Sequence, residues 1–404
     1  MVPCLRVLRQ NFDFEMKKIA LFLMLILAPL HLCAQDETLA DIQGKAESGD
    51  GAALLRLSKV YADGEFGVEP DNRTAHIYMM RAVEAGNPYA YYELAKRYKD
   101  DPWMILEPNE AERRLWLERA AAENHVEAID FLVPYADNNI ARLGLYLKAL
   151  KVTPLEGTES AVALIKSKLF KVIGNSGYFE NPDAPEYIEA VEYVRGLGND
   201  GDVQAQLALG TVYNNIYKDY PKARFWYQKA ADQGSYRGHY NLAVAYNNKE
   251  SSVYDPAKAV EHLKVAAEGG DADAQYWLGA SYNPQAPELY KVGKDIMLSI
   301  EWYERAANQG HKNAQFHGGV QIINTAKEIR KKKQAYAIGA HGIRLLEMAY
   351  EDGDLEAAWL LSLAHSLGYG TRPNSTLANK YLVIAARGGH QKAIEHCQKF
   401  NKKY

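Results

Sequence analysis

The sequence predicts an all-α superhelical solenoid of antiparallel helix pairs, about nine repeats of 33–43 residues each. Similar segments return along the chain at a nearly constant spacing. A residue that can end a helix precedes each return, and the apolar residues between follow the period of an α-helix. The composition, 24% charged and 48% hydrophobic, is typical of a folded globular chain.

A small residue anchors each repeat. The segments Gly201–Tyr213 and Gly270–Tyr282 share Gly-Asp, Ala, Leu-Gly and Tyr at the same offsets. The interval from Ala128 to Ala205 is twice the usual spacing, which predicts a degenerate repeat around residues 129–190. The anchors are Ala53, Ala90, Ala128, Ala205, Gly238, Ala274, Ala314, Ala357 and Ala393.

Two columns before the anchor predict where helices end and begin. Gly or Asn stands four residues before it, and both tolerate the left-handed conformation that ends a helix. Asp, Asn, Ser or His follows, and the first three are good N-caps for the next helix. The first column is Gly49, Gly86, Asn124, Gly201, Gly234, Gly270, Gly310, Gly353 and Gly389, and the second is the residue after each.

Larger residues mark the predicted core. Leu recurs four residues after the anchor and Tyr eight residues after it, so both share one face of the first helix with the anchor. A large residue, usually aromatic, stands twelve residues before the next anchor, on the second helix. The members of this last column are Tyr78, Trp116, Tyr193, Trp226, His262, Trp302, Leu345 and Tyr381.

This pattern resembles the Sel1-like repeat family, which is related to the tetratricopeptide repeats. Gly49–Gly86 is the best match and includes the turn Gly64-x-x-Gly67, and Ala357–Gly389 matches through Gly368-Tyr369-Gly370. The resemblance covers about residues 45–400 and implies a non-enzymatic scaffold. Residues 137–185 depart from the family pattern, so a full helix pair there stays an open question.

The N-terminus is typical of a signal peptide. Lys17 and Lys18 precede a short apolar run, and we expect cleavage after Ala34. Residues 1–34 are then an upstream extension and signal peptide, 35–48 a lead-in and 49–404 the solenoid. Either Met1 or Met16 is the start. The mature chain is expected to be periplasmic or secreted, and Cys33 as a lipid anchor is less favoured because Leu precedes it.

Charge and cysteine content exclude some partners and covalent cross-links. The chain has 47 Lys and Arg against 51 Asp and Glu, so nucleic acid is not an expected partner. After cleavage only Cys397 remains, which excludes an intramolecular disulfide. Lys327–Lys333 is a basic run that reads either as a solvated face or as a contact for an acidic partner.

No motif for catalysis or cofactor binding is recognisable in the sequence. His390, His396 and Cys397 come nearest to a metal-ligand cluster, but their spacing does not place them together on one helix face. We therefore predict no enzyme activity, no cofactor and no metal.

A fourth column contains the predicted binding residues. Two residues after the anchor the side chain is often aromatic, at an angle of about 200° from the anchor around the helix. This position would face the concave groove of a solenoid. The alternative is that the rings pack against the next repeat. The predicted binding residues are Tyr92, Tyr240, Tyr276, Phe316 and Trp359.

The sequence thus predicts a scaffold or adaptor of the bacterial cell envelope that holds a protein partner in its concave groove. The alternatives are a polysaccharide binder and a regulator of a membrane sensor. An enzyme of cell-wall metabolism is less favoured, because no converging catalytic groups are visible.

Overall fold

The computed structural model describes residues 37–151, 159–175, 182–285 and 290–400. Within these ranges the chain forms twenty α-helices and no β-strand, which confirms the predicted all-α class. The predictions about the signal peptide and Cys33 lie outside the described residues. No described helix is both long enough and apolar enough to cross a bilayer.

The chain divides into two compact units, Met1–Lys166 and Ser167–Tyr404. Helix α8 (Glu159–Ile173) lies across the division. The helices of unit 1 are α1 (Leu39–Glu47), α2 (Gly51–Asp63), α3 (Asn72–Glu84), α4 (Pro88–Arg97), α5 (Glu110–Ala122), α6 (Val126–Leu132) and α7 (Asn139–Lys151).

Unit 2 continues the succession of helix pairs. A π-helical turn, Ala314–Gly318, runs directly into α16. The helices are α9 (Pro185–Asn199), α10 (Val203–Asn215), α11 (Tyr220–Asp232), α12 (Tyr236–Asn247), α13 (Pro256–Glu268), α14 (Ala272–Tyr282), α15 (Ile296–Asn308), α16 (Gly319–Glu328), α17 (Lys332–Glu351), α18 (Leu355–Leu367), α19 (Ser375–Arg387) and α20 (Gln391–Lys399).

The predicted helix boundaries are confirmed. All nine residues of the Gly/Asn column have a left-handed φ, from 63° at Asn124 to 98° at Gly270. At all nine caps the anchor's own backbone N–H donates to the side chain of the cap residue, over 2.9–3.4 Å. Each first helix therefore starts at a fixed distance from the end of the helix before it.

The anchors and the Leu column of the predicted core are buried, whereas the Tyr column and the second-helix column contain both buried and half-buried residues. Each leucine that stands four residues after an anchor is at most 8% exposed, and the first and last of them are Leu57 and Leu361. The two helices of a repeat are also joined by stacked rings, which connect the residue eight after the anchor with the second-helix ring. Three such pairs are Tyr61 with Tyr78, Tyr246 with His262 and His365 with Tyr381, at ring distances of 5.4, 5.6 and 5.9 Å.

The described parts of the degenerate stretch contain two helices. Residues 137–185 contain α7 and α8, whose buried apolar residues include Leu143 and Leu169. One continuous solenoid over residues 49–404 remains a prediction.

Candidate binding surface

The five predicted binding residues lie where consecutive first helices meet. Tyr276 is buried, with 9% of its surface exposed, and the other four are half-buried. Packing therefore uses part of each ring, and Tyr276 also contacts Tyr303 on the second helix of its own repeat. That the rings also contact a ligand remains a prediction.

Three of these rings pack on a histidine of the next repeat, two of them stacked (Tyr276 and Trp359) and one tilted (Tyr92). Tyr92 lies 4.5 Å from His125, Tyr276 lies 4.9 Å from His311, and Trp359 lies 5.8 Å from His390, measured between ring centroids. Each histidine is also the N-cap of the next first helix. The contact between cap histidine and ring was not predicted from the sequence, although every cap histidine follows a repeat with an aromatic residue in the fourth column.

The hydrogen bonds of these histidines indicate their tautomer. Nδ1 of His311 accepts from the Ala314 amide at 3.1 Å, so the ring proton lies on Nε2 and is donated to Asp273 at 3.0 Å. Nε2 of His390 likewise donates to Glu356 at 2.6 Å. This hydrogen bond is the main reason that the pKa of Glu356 is lowered. At His311 and His390 the cap histidine thus links two successive first helices.

Tyr240 is held by a charged network. The Arg237 guanidinium lies 5.0 Å from the ring centroid and pairs with Asp271 at 3.0 Å and with Asp273 at 2.6 Å. Burial of Asp273 tends to raise its pKa, but hydrogen bonds from Arg237 and His311 outweigh burial and lower it. Phe316 instead packs on an apolar cluster that includes Ile323.

A concave site in unit 1 is a cavity of about 550 Å³ between the first helices α2 and α4. We call it the α2–α4 groove. Leu55, the fourth-column residue of the first repeat, lies in its wall. The groove is lined by Ala52, Leu55, Arg56, Lys59, Ala62, Asp63, Asn87, Tyr89, Glu93 and Trp103.

One end of the groove is fixed by a buried ion pair. Nε of Arg97 donates to Asp101 at 2.7 Å, and the guanidinium lies 3.7 Å from the centroid of the Trp103 ring. Asp101 also accepts from the amides of Trp103, Ile105 and Leu106. Although burial of the Asp101 carboxyl acts in the opposite direction, these hydrogen bonds lower its pKa. Trp103 is therefore held in a defined loop, which the sequence analysis did not predict.

The groove combines an apolar surface with charges of both signs. Arg56 forms an ion pair with Glu65, whereas Lys59 and Asp63 are exposed one helical turn apart. Glu93 pairs with Lys96 at 2.6 Å. Apolar area bordered by mixed charges is typical of surfaces that bind proteins.

The described residues contain no group of three or more His, Cys, Asp or Glu side chains that could hold a metal ion. Cys397 is buried in the last helix, and His396 packs against Trp359 and Phe400.

Comparison with known proteins identifies the family of this chain. The family model for the Sel1 repeat matches residues 51–87, 88–125, 203–235, 237–271, 272–311 and 355–390, together more than half of the chain. An uncharacterized protein of Neisseria meningitidis serogroup B is 24% identical over 328 residues, which are 78% of this chain and 62% of that relative. The chain thus spans less than two thirds of that relative's length.

Two solved structures are similar. A protective antigen of uropathogenic Escherichia coli with an SLR fold is 23% identical, with coverage of 88% of this chain and 73% of that one and a TM-score of 0.45. A Sel1 repeat protein from Oxalobacter formigenes is 20% identical, with coverage of 90% of each chain and a TM-score of 0.47. The six matched repeats show that the chain belongs to the Sel1 repeat family, whose members are generally interaction scaffolds.

Proposed function

We propose that this protein is a scaffold or adaptor of the bacterial cell envelope and that it holds a segment of a protein partner in the α2–α4 groove. The observation that carries the proposal is the 550 Å³ cavity formed by two successive first helices. Sel1 repeats typically mediate protein–protein interaction, and this cavity supports the α2–α4 groove as the proposed location of that role.

The size and lining of the groove suit a peptide. A volume of 550 Å³ falls within the range of about 300–1,000 Å³ that is usual for ligand sites. Leu55, Tyr89 and Trp103 can receive an apolar side chain, and Lys59 and Asp63 lie where a partner's charges would be paired. Because Asp101 fixes the Trp103 loop, little ordering entropy is lost on binding.

The envelope location rests on the N-terminal sequence. A lysine pair before a short apolar run, followed by Cys33 and Ala34, supports export to the periplasm or beyond. Cleavage after Ala34 would leave the repeat array free to meet the exported domain of a membrane protein.

A charge exchange tests the groove. Lys59→Glu with Asp63→Lys reverses two exposed groove charges and keeps the net charge. The matched control, Arg73→Glu with Glu84→Arg, makes the same exchange on the exposed side of α3. We expect partner capture from cross-linked envelope fractions to fall in the groove variant and to persist in the control. Equal capture by both variants would refute the proposed site, and capture of polysaccharide alone would refute a protein partner.

A further inference from the structure

Unit 2 contains a second recess with a different chemistry. A cavity of about 610 Å³ lies between the start of α17 and the turn that follows α18. We call it the basic recess. It is lined by Lys332, Lys333, Tyr336, Ala340, Gly370, Thr371 and Arg372.

The charge in this recess comes from two separate parts of the chain. Lys332 and Lys333 belong to the basic run of the sequence, and folding brings Arg372 beside them from the loop after α18. All three are exposed, and the described part of the chain gives none of them a carboxylate partner in an ion pair. No carboxylate lines the cavity. Its charge is therefore available to a ligand.

Two backbones are in direct contact beside the recess. A Cβ added to Gly339 would lie 2.0 Å from Cα of Gly370, so only glycine permits this contact. Gly370 also has a φ of 67°. Tyr369 belongs to the same turn, and the Lys327 ammonium of α16 lies 4.2 Å from the centroid of its ring. The turn that carries Arg372 is thus held against α17.

From these observations we infer that the basic recess binds an extended acidic segment of a protein partner. The cavity runs along α17 from Lys332 to Ala340, which is about 12 Å at 1.5 Å per residue. A chain rising about 3.3 Å per residue covers that length with roughly four residues. Carboxylates on such a segment can pair with the two lysines, and Arg372 can bind one through two hydrogen bonds.

The confined charge favours a peptide over a larger polyanion. The recess cations adjoin the exposed Arg330 and Lys331 of the same basic run, so the positive charge is concentrated on this short segment of a chain whose net charge is −4. A nucleic acid or an anionic membrane gains its affinity from many cations spread along a surface. A short acidic segment needs only the three that meet here.

Fluorescence anisotropy with a labelled peptide of alternating Glu and Ser tests the inference. At low ionic strength we expect saturable binding, about tenfold weaker when Lys332, Lys333 and Arg372 are all replaced by Gln. The matched control replaces three other exposed lysines of unit 2 by Gln, namely Lys249, Lys264 and Lys291, and should bind as the original chain does. A peptide of alternating Gln and Ser should not bind.

Three results would overturn the inference. They are the absence of saturable peptide binding, equal loss in the recess and control variants, and recess-dependent binding of phosphatidylglycerol vesicles or a single-stranded oligonucleotide in preference to the acidic peptide. The groove variant Lys59→Glu with Asp63→Lys should bind the peptide normally, so this test is independent of the proposed function. Circular dichroism of each variant verifies that the helices are intact.

Discussion

Replacement of His311 separates the three interactions through which a cap histidine joins two repeats. The His311→Ala substitution removes the Nδ1 hydrogen bond to the Ala314 amide, the Nε2 hydrogen bond to Asp273 and the stack on Tyr276. His311→Asn keeps a side-chain oxygen at the cap and removes the other two. The pair of variants therefore isolates the capping bond.

The expected losses follow from these contacts. A lost cap costs about 1 kcal/mol, an aromatic pair about 0.5–1.5 kcal/mol and a hydrogen bond to a partly exposed carboxylate about 1 kcal/mol. We expect His311→Ala to lower the free energy of unfolding by about 2–3 kcal/mol and His311→Asn by about 1–2 kcal/mol. The cap residue Ser235 follows a repeat with Leu207 in the fourth column, so Ser235→Asn should change stability little.

Urea unfolding followed by circular dichroism measures these differences. A double-mutant cycle with Tyr276→Leu should give a coupling energy of about 0.5–1.5 kcal/mol for the stacked pair. Equal stability of the Asn and Ala variants would show that Nδ1 does not act as a cap. A coupling energy of zero would show that the Tyr276 stack contributes nothing beyond contact area.

Three further predictions follow from the structure. The Leu278→Ala substitution, at a side chain that is 1% exposed, should lower the free energy of unfolding by about 2–5 kcal/mol. A loss of less than about 1 kcal/mol in thermal unfolding would contradict the place of Leu278 in the core. Burial lowers the pKa of His239 and His262, whose Nδ1 atoms are 2.9 Å apart. As the pH falls through the ordinary histidine pKa of 6.5, the unfolded chain therefore binds more protons than the folded chain does. Stability should therefore decrease on acidification, His262→Tyr should weaken that dependence, and an unchanged pH profile of urea midpoints would refute the assignment. Mass spectrometry should find a mature N-terminus at Gln35, whereas a diacylglyceryl group on Cys33 would show a lipoprotein.

The local features of the fold were predictable from the sequence because they depend on residues close together in the chain. A glycine such as Gly270 followed by Asp271 specifies the end of one helix and the start of the next whatever the repeats around it. Leu278 is buried because helical periodicity places it on the same face as its anchor.

The binding surface was harder to predict because it depends on contacts between repeats. Helical angle shows that Tyr276 points away from the core face of its own helix, but it does not show that His311 of the next repeat covers the ring. Trp103 is positioned by a loop whose three amides converge on Asp101 without any repeat period. Arg372 meets Lys332 only through tertiary packing.

The central claim is that the α2–α4 groove contacts a protein partner, and site-specific photo-cross-linking in living cells tests it most directly. A benzophenone side chain at Leu55 in the groove is compared with one at Ile77, an apolar residue 58% exposed on the second helix α3. We predict a discrete cross-linked protein band from position 55, suppressed by Lys59→Glu with Asp63→Lys, and no such band from position 77. The same band from both positions, or none from position 55, would contradict the account.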